Sequence, residues 1–234
     1  MKILSSILLS SLLCITPIAA TAQESTTSSD APKENIFAFK GFNVSADIFG
    51  CVYRLIGNSI SGEAAIDANI GHWLFPVVEV GYGSTNTTNK DNGIHYKASA
   101  PYYRVGVNYN FLHKWGEQPK NSYPYLALRF GWTNLRYNVD APPIIDPVWG
   151  GEVPLTLTGV KGSCYWAEIG GGVNVKIWKN LRMGWSVRYK LRIKDSKASN
   201  SNIGYIPGYG NNTANNFGAT YSLIYEIPIN RKQQ

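Results

Sequence analysis

The chain has 234 residues, 44% of them hydrophobic, and a net charge of +7 from 22 Lys and Arg against 15 Asp and Glu. That length suits one domain rather than several, and its positive charges are scattered along amphipathic segments instead of gathered in runs, which argues against nucleic acid as a partner. Beyond the N-terminal segment no stretch approaches the ~20 continuous apolar residues of a spanning helix, so any membrane insertion has to be by strands.

Residues 1–22 read as a signal peptide: Lys2 supplies the positive start, Ile3 to Ile18 an apolar stretch softened by Ser and Thr, and Ala20-Thr21-Ala22 a small-residue cleavage pattern before Gln23. Cys14 follows Leu13, whereas lipid attachment favours a small residue at that point, so a lipoprotein is disfavoured. Residues 23–39, polar and rich in Ser and Thr, form a flexible periplasmic lead-in. Residues 40–229 form the domain, and 230–234 are a polar tail.

Within the domain, apolar and polar residues alternate segment by segment. In 42–48, Phe42, Val44, Ala46 and Ile48 oppose Asn43, Ser45 and Asp47. The pattern repeats in 63–70, where Ile66 and Ile70 oppose Glu63 and Asp67, in 77–83, where Val78, Val80 and Tyr82 oppose Glu79, and in 102–110, where Tyr103, Val105 and Val107 oppose Arg104. It is clearest in 125–133 around Arg129, in 165–177 around Glu168 and Lys176, in 181–193 and in 217–227 around Glu226. In 181–193, LRMGWSVRYKLRI, Trp185, Val187 and Leu191 oppose Arg182, Arg188, Lys190 and Arg192. Period-two alternation places the two sets on opposite faces of strands. Eight such segments predict an all-β chain. Long, Asn-, Gly-, Pro- and Ser-rich connections at 84–95, 134–162 and 194–216 alternate with shorter ones at 71–76, 111–122 and 178–180. This is the layout of an eight-stranded antiparallel up-and-down transmembrane β-barrel in the outer membrane of a Gram-negative bacterium, reached after signal-peptide export.

Function depends on which face looks inward. The charged parity collects Asp47, Glu63, Asp67, Glu79, Glu168 and Glu226 against Arg104, Arg129, Lys176, Arg182, Arg188, Lys190 and Arg192, close to the balance that a closed interior needs. It also holds Gly81, Gly106, Gly131, Gly170, Gly172, Gly184 and Gly218, which leave room for long side chains in a narrow barrel. The apolar parity carries aromatic residues towards both ends: Tyr109, Phe111, Trp178 and Tyr225 at the short turns, and Tyr82, Trp132, Tyr165, Tyr189 and Phe217 at the long connections. These features predict charges inside, paired in a lumen network, and Glu168 facing Lys190 or Arg192 across the 178–180 turn. The competing architecture is a secreted lipocalin-like barrel with an apolar pocket.

Several runs carry a resemblance: FPVVEVGYG (75–83), GIHYKASAPYYRVGVNYN (93–110), DPVWGG (146–151), YWAE (165–168) and KIWKNLRMGWSVRYK (176–190). They resemble an uncharacterised family of small outer-membrane β-barrel proteins from Bacteroides-type bacteria, a domain of unknown function. The resemblance implies a fold and a location but no activity. IPINRKQQ follows the last aromatic residue where such barrels usually end in Phe or Trp, a departure at the strand that the barrel-assembly machinery reads.

Chemistry is sparse. His72, His95 and His113 share no metal-like spacing, and the sequence points to no cofactor, metal or catalytic residue. A lipid A modifying enzyme would draw on His95 and Ser99, which an extended chain puts on one face but ~13 Å apart. Cys51 and Cys164 fall near the outer rim on the inward parity and could form a disulfide. The partners implied are outer-membrane lipid and lipopolysaccharide, the assembly machinery, and a surface partner met through 84–95, 134–162 and 194–216. The role is therefore read as structural or surface interaction around a filled polar lumen.

Overall fold

A computed structural model describes residues 37–48, 50, 59–90, 92–113, 122–145, 150–196 and 203–229. The first strands are β1 (Phe39–Asp47), β2 (Ser59–Ile70), β3 (Leu74–Thr88) and β4 (His95–Tyr109). They are followed by β5 (Ser122–Ile145), β6 (Glu152–Trp178) and β7 (Leu181–Ser196). Two short strands, β8 (Tyr205–Ile206) and β9 (Gly210–Asn211), precede β10 (Asn215–Pro228). Each long strand pairs antiparallel with its neighbours, and β10 closes on β1 to complete an eight-stranded barrel. β8 and β9 pair with each other as a separate two-stranded ribbon.

The turns at one end are set locally. Gly71 and His72 both have positive φ, 57° and 64°, the combination of a type I′ hairpin turn, whose twist suits the flanking strands. Glycine reaches that conformation freely. His72 is held there by Asn69, whose Oδ1 accepts from the His72 backbone N–H at 3.0 Å. β6 and β7 are joined through Lys179 and Asn180, with a bulge between Lys176 and Trp178.

At the other end the paired structure extends further than alternation indicates. The 84–95 and 134–162 segments, expected as loops, are largely strand: β3 continues to Thr88, and β5 and β6 stay paired out to Ile145 and Glu152. Beyond the barrel wall no face needs to be apolar, so alternation lapses while backbone pairing continues. The pairing has bulges between Tyr137 and Val139 and between Ala141 and Ile144, and the second accommodates Pro142 and Pro143. The 194–216 segment also differs from a free loop. Ile203, Ile206, Pro207 and Tyr209 are buried against Tyr96, Tyr102, Leu135, Tyr137 and Trp166, so the β8–β9 ribbon is inserted in the barrel mouth.

The two faces are inverted relative to a water-soluble barrel. Val78, Leu128, Ile169, Trp185, Val187 and Leu191 are exposed, Trp185 by 59% and Val187 by 61%, while Glu79 and Arg104 are exposed by 2% and 3%. Among the described residues no helix is long and apolar enough to cross a membrane, which says nothing about crossing by strands.

Candidate functional site

The centre of the lumen is a cluster of carboxylates and guanidiniums carried by six strands. Glu63 comes from β2, Glu79 from β3, Arg104 from β4, Arg129 from β5, Glu168 from β6 and Arg188 from β7. Glu79 is its hub. Its Oε2 accepts from Arg104 Nη1 and Arg188 Nη1, both at 2.9 Å, and its Oε1 from Arg129 Nε at 2.9 Å. Arg104 Nη1 also reaches Glu63 Oε2 at 2.6 Å. Arg104 Nε lies 3.0 Å from Glu168 Oε1, close enough for an ion pair although its N–H direction misses hydrogen-bond geometry. Arg188 Nη1 lies 3.4 Å from Glu168 Oε2. Arg129 spends its remaining donors on the Val107 and Leu128 carbonyls and on Asn108 Oδ1. Burying ions this deeply is tolerable only when charges and donors are matched.

The other members of the charged parity sit around this centre. Lys190 Nζ donates to the Gly208 carbonyl of the inserted ribbon at 2.7 Å, and Arg104 Nη2 donates to the same oxygen at 3.2 Å. Towards the short turns Arg182 pairs with Glu226 and lies over the Tyr123 ring, 5.3 Å from its centroid. Asp67 accepts from Asn43 Nδ2 at 2.6 Å, and Asp47 accepts from the Tyr221 backbone N–H at 3.3 Å. Towards the mouth Arg192 bonds Asn212 and lies 3.9 Å from Asp195. Lys176 does not join the network. It stands opposite Arg182 at the end of β6, and with Glu226 engaged by Arg182 its ammonium goes to the exposed rim. Cys164 is fully buried near the mouth, while Cys51 lies outside the described residues.

Parity indicates charge and glycine inside, but the lumen also contains aromatic layers that polarity alone passes over. Tyr102 and Trp166 lie above the cluster, donating to Glu63 Oε2 at 3.1 Å and to Glu168 Oε1 at 2.6 Å. Phe75 and Tyr123 stack below it at 5.6 Å. The signal was present as glycines opposite rings. A Cβ at Gly81 would strike the Tyr102 ring, and one at Gly131 the Trp166 indole, so each ring lies flat on a neighbouring strand's glycine. In the mouth, burial pushes the Tyr96 phenol up to about 12, and it remains a neutral donor to the Tyr205 carbonyl at 3.0 Å.

Ser45, Asp47, Ala65, Thr220 and Ser222 line a small space beside the cluster, about 30 Å³, enough for about two waters. His95 shares its Nδ1 with Thr88 Oγ1 at 2.9 Å and stands opposite Asp140, whereas Ser99 stands opposite Ser84 and Arg136. Among the described residues no three His, Cys, Asp or Glu side chains gather as a metal site.

The fold and site define a class: a small, closed, eight-stranded β-barrel with an ion-paired, aromatic-capped lumen and an apolar outer wall. The chain belongs to the family described as a domain of unknown function, DUF6048, whose model matches residues 1–232. No curated protein matches its sequence. Among solved structures it is similar to Neisserial surface protein A (NspA), at 13% identity and a TM-score of 0.42, over 81% of this chain and 97% of that one.

Proposed function

We propose that this protein is an outer-membrane β-barrel, exported with residues 1–22 as its signal peptide and acting through the surface of its long-hairpin end. The observation that carries the reading is the inversion of the wall. Ion pairs fill the interior of a closed barrel while Val78, Leu128, Ile169, Trp185 and Val187 face outward. In water that arrangement would expose a continuous apolar surface far larger than soluble monomers carry, whereas in a bilayer it is the low-energy one. Outward aromatic residues support it at both ends. Tyr103 stacks on Trp132 at 5.6 Å near the long hairpins, and Trp73 meets Tyr109 edge-on at 6.1 Å near the short turns.

The filled lumen favours a structural or surface-interaction role over a diffusion pore. The ion cluster and the inserted ribbon occupy the section that a solute would have to cross. A lipocalin-like carrier needs an apolar interior, and this one is charged at its centre. A lipid-modifying centre built on His95 and Ser99 is disfavoured because the two stand four residues apart on β4, about 13 Å along the strand, with Ser99 opposite Ser84 and Arg136.

Flotation with membranes and trypsin treatment of intact cells test the reading. The full chain should float with the outer-membrane fraction and be cut at Lys90, in the exposed β3–β4 turn, with the barrel strands protected. Recovery as a soluble species digested throughout would overturn it.

A further inference from the structure

The six lumen acids are matched by Arg104, Arg129, Arg182, Arg188, Lys190 and Arg192, so the net charge of +7 is carried elsewhere. Part of it is gathered on the outer wall. Tyr103, Trp132, Tyr165 and Lys194 form one rung across β4 to β7. Four residues higher on β5, about 13 Å along the strand, Ser99, Arg136 and Lys161 form another, and Lys97 stands opposite Asn138 beyond it. Arg136, Lys161, Lys97 and Lys194 are exposed, and none forms an ion pair among the described residues.

Two features make this more than a solvated basic face. Arg136 and Lys161 are direct cross-strand partners, with Cβ atoms about 5 Å apart, an arrangement that costs stability unless an anion lies between them. Their neighbours on that face are Asn134, Asn138, Ser99 and Ser163; the nearest carboxylate along β5, Asp140, is four residues further out, opposite His95. In addition, the β6–β7 pairing runs out to Ser163 opposite Ser196, and among the described residues β6 has no β7 partner from Gly162 outward. A cleft of about 380 Å³ opens at that point, with Leu135 at its base and Asn134, Arg136, Lys161, Gly162, Ser163 and Ser196 around it. It combines a planar guanidinium fork, an ammonium, two hydroxyls and backbone, a donor set suited to a phosphate group.

We propose that this cleft binds the phosphate of a membrane lipid headgroup in the leaflet at the long-hairpin end, an inference that rests on the membrane reading above. The lipid source follows from position. The polar side chains that line the cleft, Asn134, Arg136, Lys161, Ser163 and Ser196, share the outward parity of Trp132, Tyr165 and Lys194 and stand on the outer wall beyond the aromatic rung. Arg136 and Lys161 grip the phosphate, the Ser163 and Ser196 hydroxyls donate to it, and Lys194 stands lower, beside the aromatic rung.

Wild type and an R136Q/K161Q variant are reconstituted into vesicles of phosphatidylcholine alone, phosphatidylcholine with phosphatidylglycerol, and phosphatidylcholine with diphosphoryl lipid A. Flotation reports insertion, and native mass spectrometry after mild extraction reports retained lipid. Wild type should retain lipid A, and the variant at least about tenfold less, since that factor already follows from losing one of the two charge-assisted contacts, with K179Q at the opposite end unchanged. Heat-modifiable mobility establishes that the variants are folded. Equal retention by folded wild type and R136Q/K161Q overturns the site. Displacement of bound lipid A by millimolar inorganic phosphate overturns the lipid source. Failure to float with any vesicle overturns the membrane reading instead, and is visible before any lipid is counted.

Discussion

Glu168 and Lys190 face each other directly across the β6–β7 rung, yet they are not bonded to each other. The carboxylate turns to Arg104 and Arg188 on other strands, and the ammonium rises to the Gly208 carbonyl in the inserted ribbon. Removing the carboxylate therefore leaves guanidinium charge uncompensated across the barrel. Glu168→Ala should lower stability by about 3–5 kcal/mol. The check is the temperature at which the compact gel band converts to the unfolded one; an unchanged conversion temperature refutes the account.

Glu79 holds three guanidiniums, so its loss should cost more than that of Glu168. Glu79→Ala is expected to be the most damaging single change in the lumen. A Glu79→Leu/Arg129→Leu double variant should recover part of the loss, because it removes a charge of each sign instead of stranding one. Urea unfolding of the single and double variants in the same detergent measures the recovery.

The architecture was legible because the outer wall and the lumen impose opposite demands on alternate residues. Leu128 and Arg129, or Val187 and Arg188, identify their faces without any structure. The β6–β7 register was legible to within one step, since the short 178–180 connection and matched faces left Glu168 opposite Lys190 or Arg192, and the structure pairs it with Lys190. The aromatic layers were not, because Tyr102 and Trp166 share a parity with Arg104 and Glu168, and only three-dimensional proximity shows them lying on Gly81 and Gly131. The ribbon was hidden for a different reason. Tyr205 to Asn211 has the Gly and Pro content of a surface loop, and its burial depends on contacts with three distant strands, β4, β5 and β6. Lys176 misled because alternation reports a face but not how near the rim a residue stands.

The ring-on-glycine contacts can be isolated. Gly131→Ala and Gly81→Ala should each cost about 1–3 kcal/mol by displacing a packed ring. Gly62→Ala meets nothing within 4 Å on the wall and should be close to neutral. Comparable melting of all three variants would show that the rings are not seated as described.

The ribbon should be separable from the barrel. Lys190→Met removes one of the two side-chain donors to the Gly208 carbonyl and leaves Arg104 as the other. Limited chymotrypsin treatment should then cut faster at Tyr205 or Tyr209, while the barrel keeps its compact mobility. Unchanged cutting would mean that the apolar contacts of Ile203, Ile206 and Tyr209 hold the ribbon unaided.

The outer wall admits the sharpest contrast, because only a bilayer distinguishes two exposed leucines. Leu128 is 55% exposed in mid-wall and Leu155 is 45% exposed on the protruding β5–β6 hairpin. In water both are surface residues, and arginine at either would be nearly neutral. In hydrocarbon, Leu128→Arg should cost about 2–4 kcal/mol, the depth-dependent penalty for a cation on a barrel's lipid face, whereas Leu155→Arg should cost almost nothing. Measuring refolding into phosphatidylcholine vesicles against urea gives both values in one series. A Leu128→Arg penalty equal to that of Leu155→Arg would place the wall in water, and the ion-filled lumen would then need a different explanation.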